Sequence, residues 1–255
     1  MKTICVTFVI ALTFIAVSAV AQNVRITPIG SHTGELCAND RAIVFEDPTG
    51  VRLLYDPAHN LTAGDDSRLG DIHVVLLTHM HGDHLGDRKL QAVNAGSCAN
   101  SERIPVPNSM TAEVVAAKTA ILVTTRAMAG FVANEVQDIL DQPLSICAQP
   151  IAATVPVEEA CRSSMDVGGI FVAKTAEADQ GVEITIVYAS HVNNAPPALL
   201  TEEQREMLAA NGAILEFGPP TGYVVKFTNG LTAYLSGDTG IHSDMRTVVN
   251  EYHHA

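Results

Sequence analysis

The 255-residue sequence has no tryptophan, only 5% aromatic residues, and only 17% charged residues. It also lacks any Pro/Gly/Ser or Gln/Asn tract, and at 47% hydrophobic it is poor material for a disordered tail. Basic residues are scarce: 15 Lys plus Arg stand against 28 Asp plus Glu, a net charge of −13. That balance argues against a broad phosphate-binding surface and so against a nucleic-acid partner, although a metal site could still neutralise phosphate locally. No segment beyond the first 21 residues is long and apolar enough to span a bilayer, so no stable membrane anchor is expected. The length fits one large domain or two small ones, with enough apolar residues for a sizeable core.

The N-terminus reads as a leader. Lys2 precedes an almost wholly apolar run from Ile4 to Val20, and Ala19 and Ala21 are the small residues a signal-peptidase groove accepts. This predicts a signal peptide over residues 1–21, cleavage between Ala21 and Gln22, and a bacterial periplasmic or secreted domain over 22–255. The remaining cysteines are Cys37, Cys98, Cys147 and Cys161. An even count in an oxidising compartment permits two disulfides in any of three connectivities, and buried free thiols remain an alternative. None has C-x-x-C spacing or adjoins the histidines discussed below.

Short apolar runs predict strands over Val24–Ile29, Ala42–Glu46, Val51–Tyr55, Ile72–Leu77, Gly168–Lys174, Val182–Tyr188, Ala213–Phe217, Tyr223–Thr228 and Leu231–Ser236. Asn229-Gly230 marks a hairpin between the last two. Thr201-Glu202-Glu203-Gln204 is a capping-box pattern for a helix running to about Ala210, with Gly212 as its stop. Ile241, Met245, Val248, Val249 and Tyr252 form one helical stripe. Residues 91–160 read as a variable insertion, with two helices expected between Thr111 and Leu140.

The chemistry concentrates in Thr78-His79-Met80-His81-Gly82-Asp83-His84-Leu85-Gly86-Asp87, directly after a predicted strand. In an extended segment His79 and His81 point the same way, so both imidazoles reach one ion. The turn at Gly82 then offers Asp83 and His84 to an adjacent position. Imidazole and carboxylate suit zinc, and also iron or manganese. Two distant residues emerge where strands end: His191, and Asp238 within Ser236-Gly237-Asp238-Thr239-Gly240, whose glycines allow close backbone approach. His32, Thr33 and Glu35 lie in an early loop that could line a cleft or be purely structural. No serine or cysteine sits beside a base as a nucleophile.

The His79-x-His81-x-Asp83-His84 segment, followed by His191 and the glycine-flanked Asp238, resembles the metallo-β-lactamase superfamily. The resemblance implies an α/β fold, a four-layer αββα sandwich with metal at the edge of its two sheets. It further implies that His79, His81 and His191 hold one Zn2+, that Asp83 and His84 help hold a second, that Asp238 bridges the two, and that Asp56 is a supporting acid. Asp83 and Asp238 are the implied catalytic carboxylates, acting with a metal-bound hydroxide on an ester, lactone, amide or related bond of a small molecule. The superfamily also places a further buried strand and a final histidine after the last helix. The sequence reaches Glu251-Tyr252-His253-His254-Ala255 without them, so a sandwich missing its C-terminal strand and helix is expected. Two alternatives accompany this reading: an exported zinc β-lactamase, and a shortened, non-catalytic metal-binding protein. The 107 positions separating His84 from His191 are long for a compact β-lactamase.

Overall fold

The computed structural model describes residues 23–252. The expected leader with its cleavage point, and His253 and His254, lie outside them.

The chain opens with β1 (Arg25–Pro28), β2 (Ile43–Glu46), β3 (Arg52–Tyr55), β4 (Val74–Leu76) and the short helix α1 (Gly82–Leu85). Next come β5 (Arg88–Leu90), β6 (Gly96–Ser97), β7 (Asn100–Ser101), β8 (Arg103–Pro105), α2 (Met110–Ala117), β9 (Ile121–Val123) and α3 (Arg126–Leu140). The second half holds β10 (Ala152–Val155), β11 (Cys161–Arg162), β12 (Ile170–Thr175), β13 (Val182–Tyr188), α4 (Glu202–Ala210), β14 (Thr221–Lys226), β15 (Thr232–Leu235) and α5 (Asp244–Thr247).

Two large sheets result, one of six strands in the order β1-β2-β3-β4-β9-β11 and one of five in the order β10-β12-β13-β14-β15. Side-chain alternation explains how they stack. Leu53, Tyr55, Val74, Leu76, Ile121 and Val123 face Phe171, Ile184, Ile186, Tyr223 and Val225 of the second sheet. The intervening Leu54, Val75 and Leu122 face α2 and α3 through Val114, Val115, Met128 and Val132. β3, β4 and β9 are parallel neighbours and apolar on both faces, as strands buried on both sides must be. Each large aliphatic side chain so buried contributes about 1.5–3 kcal/mol. Tyr223 adds a polar tie: its hydroxyl lies 2.6 Å from Leu77 O and 2.9 Å from Val123 O, fixing the ends of two first-sheet strands from the second sheet.

Helix α2 braces the loop that carries the histidines. Met110 N donates to Gly86 O at 2.8 Å, and the Thr111 hydroxyl donates to Leu85 O at 2.8 Å. Ser109 caps α2 by accepting from Ala112 N. Glu135 of α3 in turn accepts from Ser109 N and from the Ser109 hydroxyl. At the other end of the sandwich, buried Asp47 in the β2–β3 turn accepts from Thr228 N at 2.9 Å and from the Thr228 hydroxyl at 2.7 Å. It thereby joins the two sheets.

The four cysteines pair as Cys37–Cys98 and Cys147–Cys161, which selects one of the three connectivities. The capping box forms: the Thr201 hydroxyl accepts from Gln204 N while Gln204 Oε1 accepts from Thr201 N. Residues 91–160 do contain two helices, but they also supply β9 to the first sheet and β10 to the second.

Two expectations fail. Ala213–Phe217 is no buried strand: only Glu216 makes a bridge, to Asn194, and Ile214 is 66% exposed. Gly212 and the Gly218-Pro219-Pro220 run break the segment on both sides, and Phe217 turns inward onto Phe131 instead. Ile241 does not join the helical stripe. It precedes α5 and is 100% exposed, and the helix shifts to a π turn at Val248–Tyr252.

Candidate metal centre

The site is assembled where strands end. His79 and His81 follow β4, α1 carries Asp83 and His84, His191 follows β13, and Asp238 follows β15. His79, His81 and His191 each place a ligand atom within 4.8 Å of the other two, and so do His79, His84 and Asp238. His79 belongs to both groups. Asp83 lies at the rim, 3.8 Å from His84 Nε2, while Asp238 comes within 3.4 Å of that nitrogen.

The local backbone makes this convergence possible. A side chain at Gly82 would collide with the Asp87 carboxylate, which packs under the turn and binds His59 Nε2 at 2.6 Å. Gly237 has φ +61°, and a Cβ there would lie 2.8 Å from Thr221 O, so only glycine lets this loop press against β14 and present Asp238.

Asp56 is the hub of the support. It is fully buried with φ +41°, a left-handed conformation that non-glycine residues hold only where the surroundings demand it. Its carboxylate accepts from Thr78 N and from the Thr78 hydroxyl, both at 2.8 Å, and lies 2.8 Å from His84 Nδ1. The Thr78 oxygen also lies 3.0 Å from His79 Nδ1. With its Nδ1 proton directed at Thr78, neutral His79 carries its lone pair on Nε2, while His84, its Nδ1 proton directed at Asp56, offers Nε2 to an ion once that nitrogen gives up its proton. Both Nε2 atoms are buried with no hydrogen-bond partner among the described residues. Leaving such atoms unpaired costs about 1–3 kcal/mol each, a cost a cation would relieve. His81 is oriented the other way round: its Nε2 lies 3.2 Å from Asn194 Oδ1, which leaves Nδ1 free.

Electrostatics favour ligation at His79 and set a proton in competition with a metal at His84. Burial, aided by the charge of His84, pushes His79 down to about 3, so its imidazole is neutral. Burial works to lower His84 as well, but the charge and hydrogen bond of Asp56, with Asp83 and Asp238, outweigh it and raise its pKa. For Asp83 burial favours protonation, yet the charges of His84 and Arg41 prevail and hold the carboxyl below its ordinary range. The chain therefore carries a potential divalent-metal site of His/His/His or His/His/Asp type.

Several supporting residues carry no local sequence signal. Asn193 is fully buried, accepts from Met80 N at 2.8 Å and donates to Gly218 O at 3.1 Å, which locks the His79–His81 turn against the His191 loop. Asn194 and Arg41 are likewise without a local signal, although the asparagine pair so soon after His191 is the one available hint, and Thr78 stands in the histidine segment without its role being legible. His242 has both ring nitrogens enclosed without a partner among the described residues and stacks edge-on against Tyr188. His32 contacts the sulfur of Cys37 and the Ser31 hydroxyl rather than the cluster.

No family model matches the chain. Among curated proteins it is similar to proteins described as UPF0173 metal-dependent hydrolases. One from Cupriavidus metallidurans is 26% identical over 191 residues, covering 73% of this chain and 46% of that protein. One from Methanosphaera stadtmanae is 25% identical over 211 residues, covering 82% and 62%. One from Rubrobacter xylanophilus is 27% identical over 232 residues, covering 89% and 66%. The chain thus spans between about half and two thirds of the length of these relatives. Igni18, a metallo hydrolase from Ignicoccus hospitalis KIN4/I of known structure, aligns over 83% of this chain and 63% of its own at 18% identity, with a TM-score of 0.46. The chain is a mixed α/β protein with a potential metal site and a distant similarity to the UPF0173 metal-dependent hydrolases.

Proposed function

We propose that the protein is a metal-dependent hydrolase acting on an ester, lactone, amide or related bond of a small molecule, built on an αββα sandwich with zinc as its metal. The observation that carries this is the pair of buried Nε2 atoms of His79 and His84, which have no hydrogen-bond partner among the described residues, converging with His81, His191 and Asp238. The shared description of its distant relatives agrees with the reading. His79 offers one free nitrogen to two groups. His79, His81 and His191 would hold one ion, and His84 and Asp238, with Asp83 at the rim, would hold a neighbouring one.

A divalent ion bound there supplies Lewis acidity and makes water nucleophilic at neutral pH. The chain's own residues do the rest. Asp56 fixes the ring of His84, Thr78 fixes that of His79, and Asn194 fixes that of His81. Asp83 is ionised and partly exposed, and so is placed to accept a proton from water or pass one to a leaving group. Asp238, on a glycine-flanked turn, stands with His79 and His84 and would orient what binds beside them.

Native mass spectrometry of the zinc-loaded protein, alongside a panel of aryl esters, lactones, amides and a cephalosporin, tests the proposal. One or two bound ions with metal-dependent turnover are expected. Bound metal with no turnover on any substrate would reduce the protein to a metal-binding one, and a cephalosporin-only activity would make it a β-lactamase.

A further inference from the structure

The two sides of the metal centre differ in charge. The side formed by His191 and Asp238 has no Lys or Arg in residues 189–195 or 236–242. The opposite side carries Arg41, His59 and Arg103, in a chain with only 15 basic residues and a net charge of −13.

Arg41 is anchored unusually well for a partly exposed arginine. Buried Asn60 accepts from Arg41 N through Oδ1 at 3.1 Å and donates through Nδ2 to Asp40 Oδ1. The other oxygen of Asp40 accepts from Ser31 N and Cys37 N, both at 2.9 Å. The Cys37–Cys98 bridge fastens the same loop to the segment after β6. The guanidinium itself is barely used. Nη1 donates to Ala38 O at 3.2 Å, Nη2 reaches Asp83 Oδ2 only at 3.5 Å, and Nε is enclosed without an acceptor among the described residues. Arg41 and Asp83 are each about one third exposed, so their contact faces the mouth of the site.

With Nε enclosed, the donors left for a ligand are at the Nη1–Nη2 end, and a planar end-on fork fits one ligand chemistry above others, the two oxygens of a carboxylate or phosphate. We propose that Arg41 is a specificity-determining residue that holds an anionic group of the substrate, the outer N–H groups of Nη1 and Nη2 donating to two oxygens of that group in place of the long contact to Asp83. This rests on the hydrolase reading for the word substrate. The binding site itself does not.

The test separates the two. Zinc-loaded wild type, Arg41→Met and Arg41→Lys are titrated calorimetrically with monomethyl adipate, which carries one carboxylate, and with its uncharged twin dimethyl adipate. Methyl phosphate forms a second arm, and bound zinc is counted by native mass spectrometry. The Met variant is expected to weaken the monoester about tenfold or more beyond any change for the diester. The Lys variant should fall between, keeping the charge and losing the fork, with zinc unchanged. A larger loss for methyl phosphate than for monomethyl adipate would name phosphate as the preferred anion, and the reverse would name carboxylate. Equal weakening of charged and uncharged ligands, or zinc lost in step, would make Arg41 a brace for Asp83 and overturn the proposal. Turnover of the matched 4-nitrophenyl esters, acid against methyl-capped, is read in parallel. Its absence in all forms defeats the hydrolase reading while the titration still decides on Arg41.

Discussion

The two ligand groups that share His79 are built differently. The one completed by His81 and His191 is made of imidazoles from loops 110 residues apart, and its outer member is exposed. Its supports are amides, Asn193 and Asn194. The one completed by His84 and Asp238 rests on a fully buried carboxylate, Asp56, that holds Thr78 and His84 together. A charged acceptor fixes a ring more firmly than an amide oxygen, since charge-assisted hydrogen bonds are roughly twice as strong as neutral ones. The three-imidazole group has ligands of one kind and gentle support. The mixed group has fewer imidazoles and stronger support.

The largest effect should come from the shared residue. His79→Ala removes one ligand from both groups, so zinc affinity is expected to fall more than about 100-fold at each, beyond the range of an outer-shell loss. Native mass spectrometry with circular dichroism to check the fold reads this. Retention of one tightly held ion would show that a group closes without His79. Asp56→Asn should discriminate between the groups. It removes the charge behind His84, and a loss of about 10–100-fold in affinity at the mixed group is expected, with a smaller change at the other. Competition with a chelator across two binding steps measures both, and an equal loss would mean that the two groups are supported alike.

The smallest effect belongs to a site remote from both groups. Burial raises Glu135 to about 7 from an ordinary 4.5, against the lowering influence of its Ser109 hydrogen bonds. The folded state therefore holds this proton while the unfolded chain releases it. The contribution to stability is fully present below about 4.5, falls as pH rises, and levels off above about 7, a change on the order of 3 kcal/mol. Urea denaturation of wild type and Glu135→Gln across that window should show a flatter profile for the variant, with zinc affinity unaltered. Parallel profiles would mean that Glu135 does not titrate there.

Sequence patterns captured what is local. The histidine segment after a strand, the Thr201–Gln204 capping box and the glycine-flanked Asp238 each declare themselves within a few residues, because spacing alone sets which atoms meet. What could not be read depends on distant partners. Asn193 acts on Met80 across 113 positions, and Arg41 meets Asp83 across 42. β9 hid among helices because three apolar residues, Ile121 to Val123, read equally well as either element. Ala213–Phe217 erred the other way: apolar content suggested burial, but Gly212 and the Gly218-Pro219-Pro220 run kept it out of a sheet. Cysteine pairing was open because four cysteines permit three arrangements, and only the fold brings the partners to Cα distances of 5.1 and 5.0 Å.

The Asp47–Thr228 link sits at the end of the sandwich far from the histidines, where the β2–β3 turn meets the β14–β15 hairpin. The two sheets are like the covers of a book, tied there at one edge and by the Tyr223 hydroxyl, through Leu77 O and Val123 O, near the other. The facing edge carries His79 and His81 on one cover, His191 and Asp238 on the other. An ion gripping both covers would bind the shut book and not an opened one, so its affinity would also be latching energy, growing with metal concentration as RT ln(1 + [M]/Kd). The supply of metal in the surroundings would then add to what the shared core and the Tyr223 and Asp47 ties already hold, and make it rarer for a protease to reach the pages between the covers.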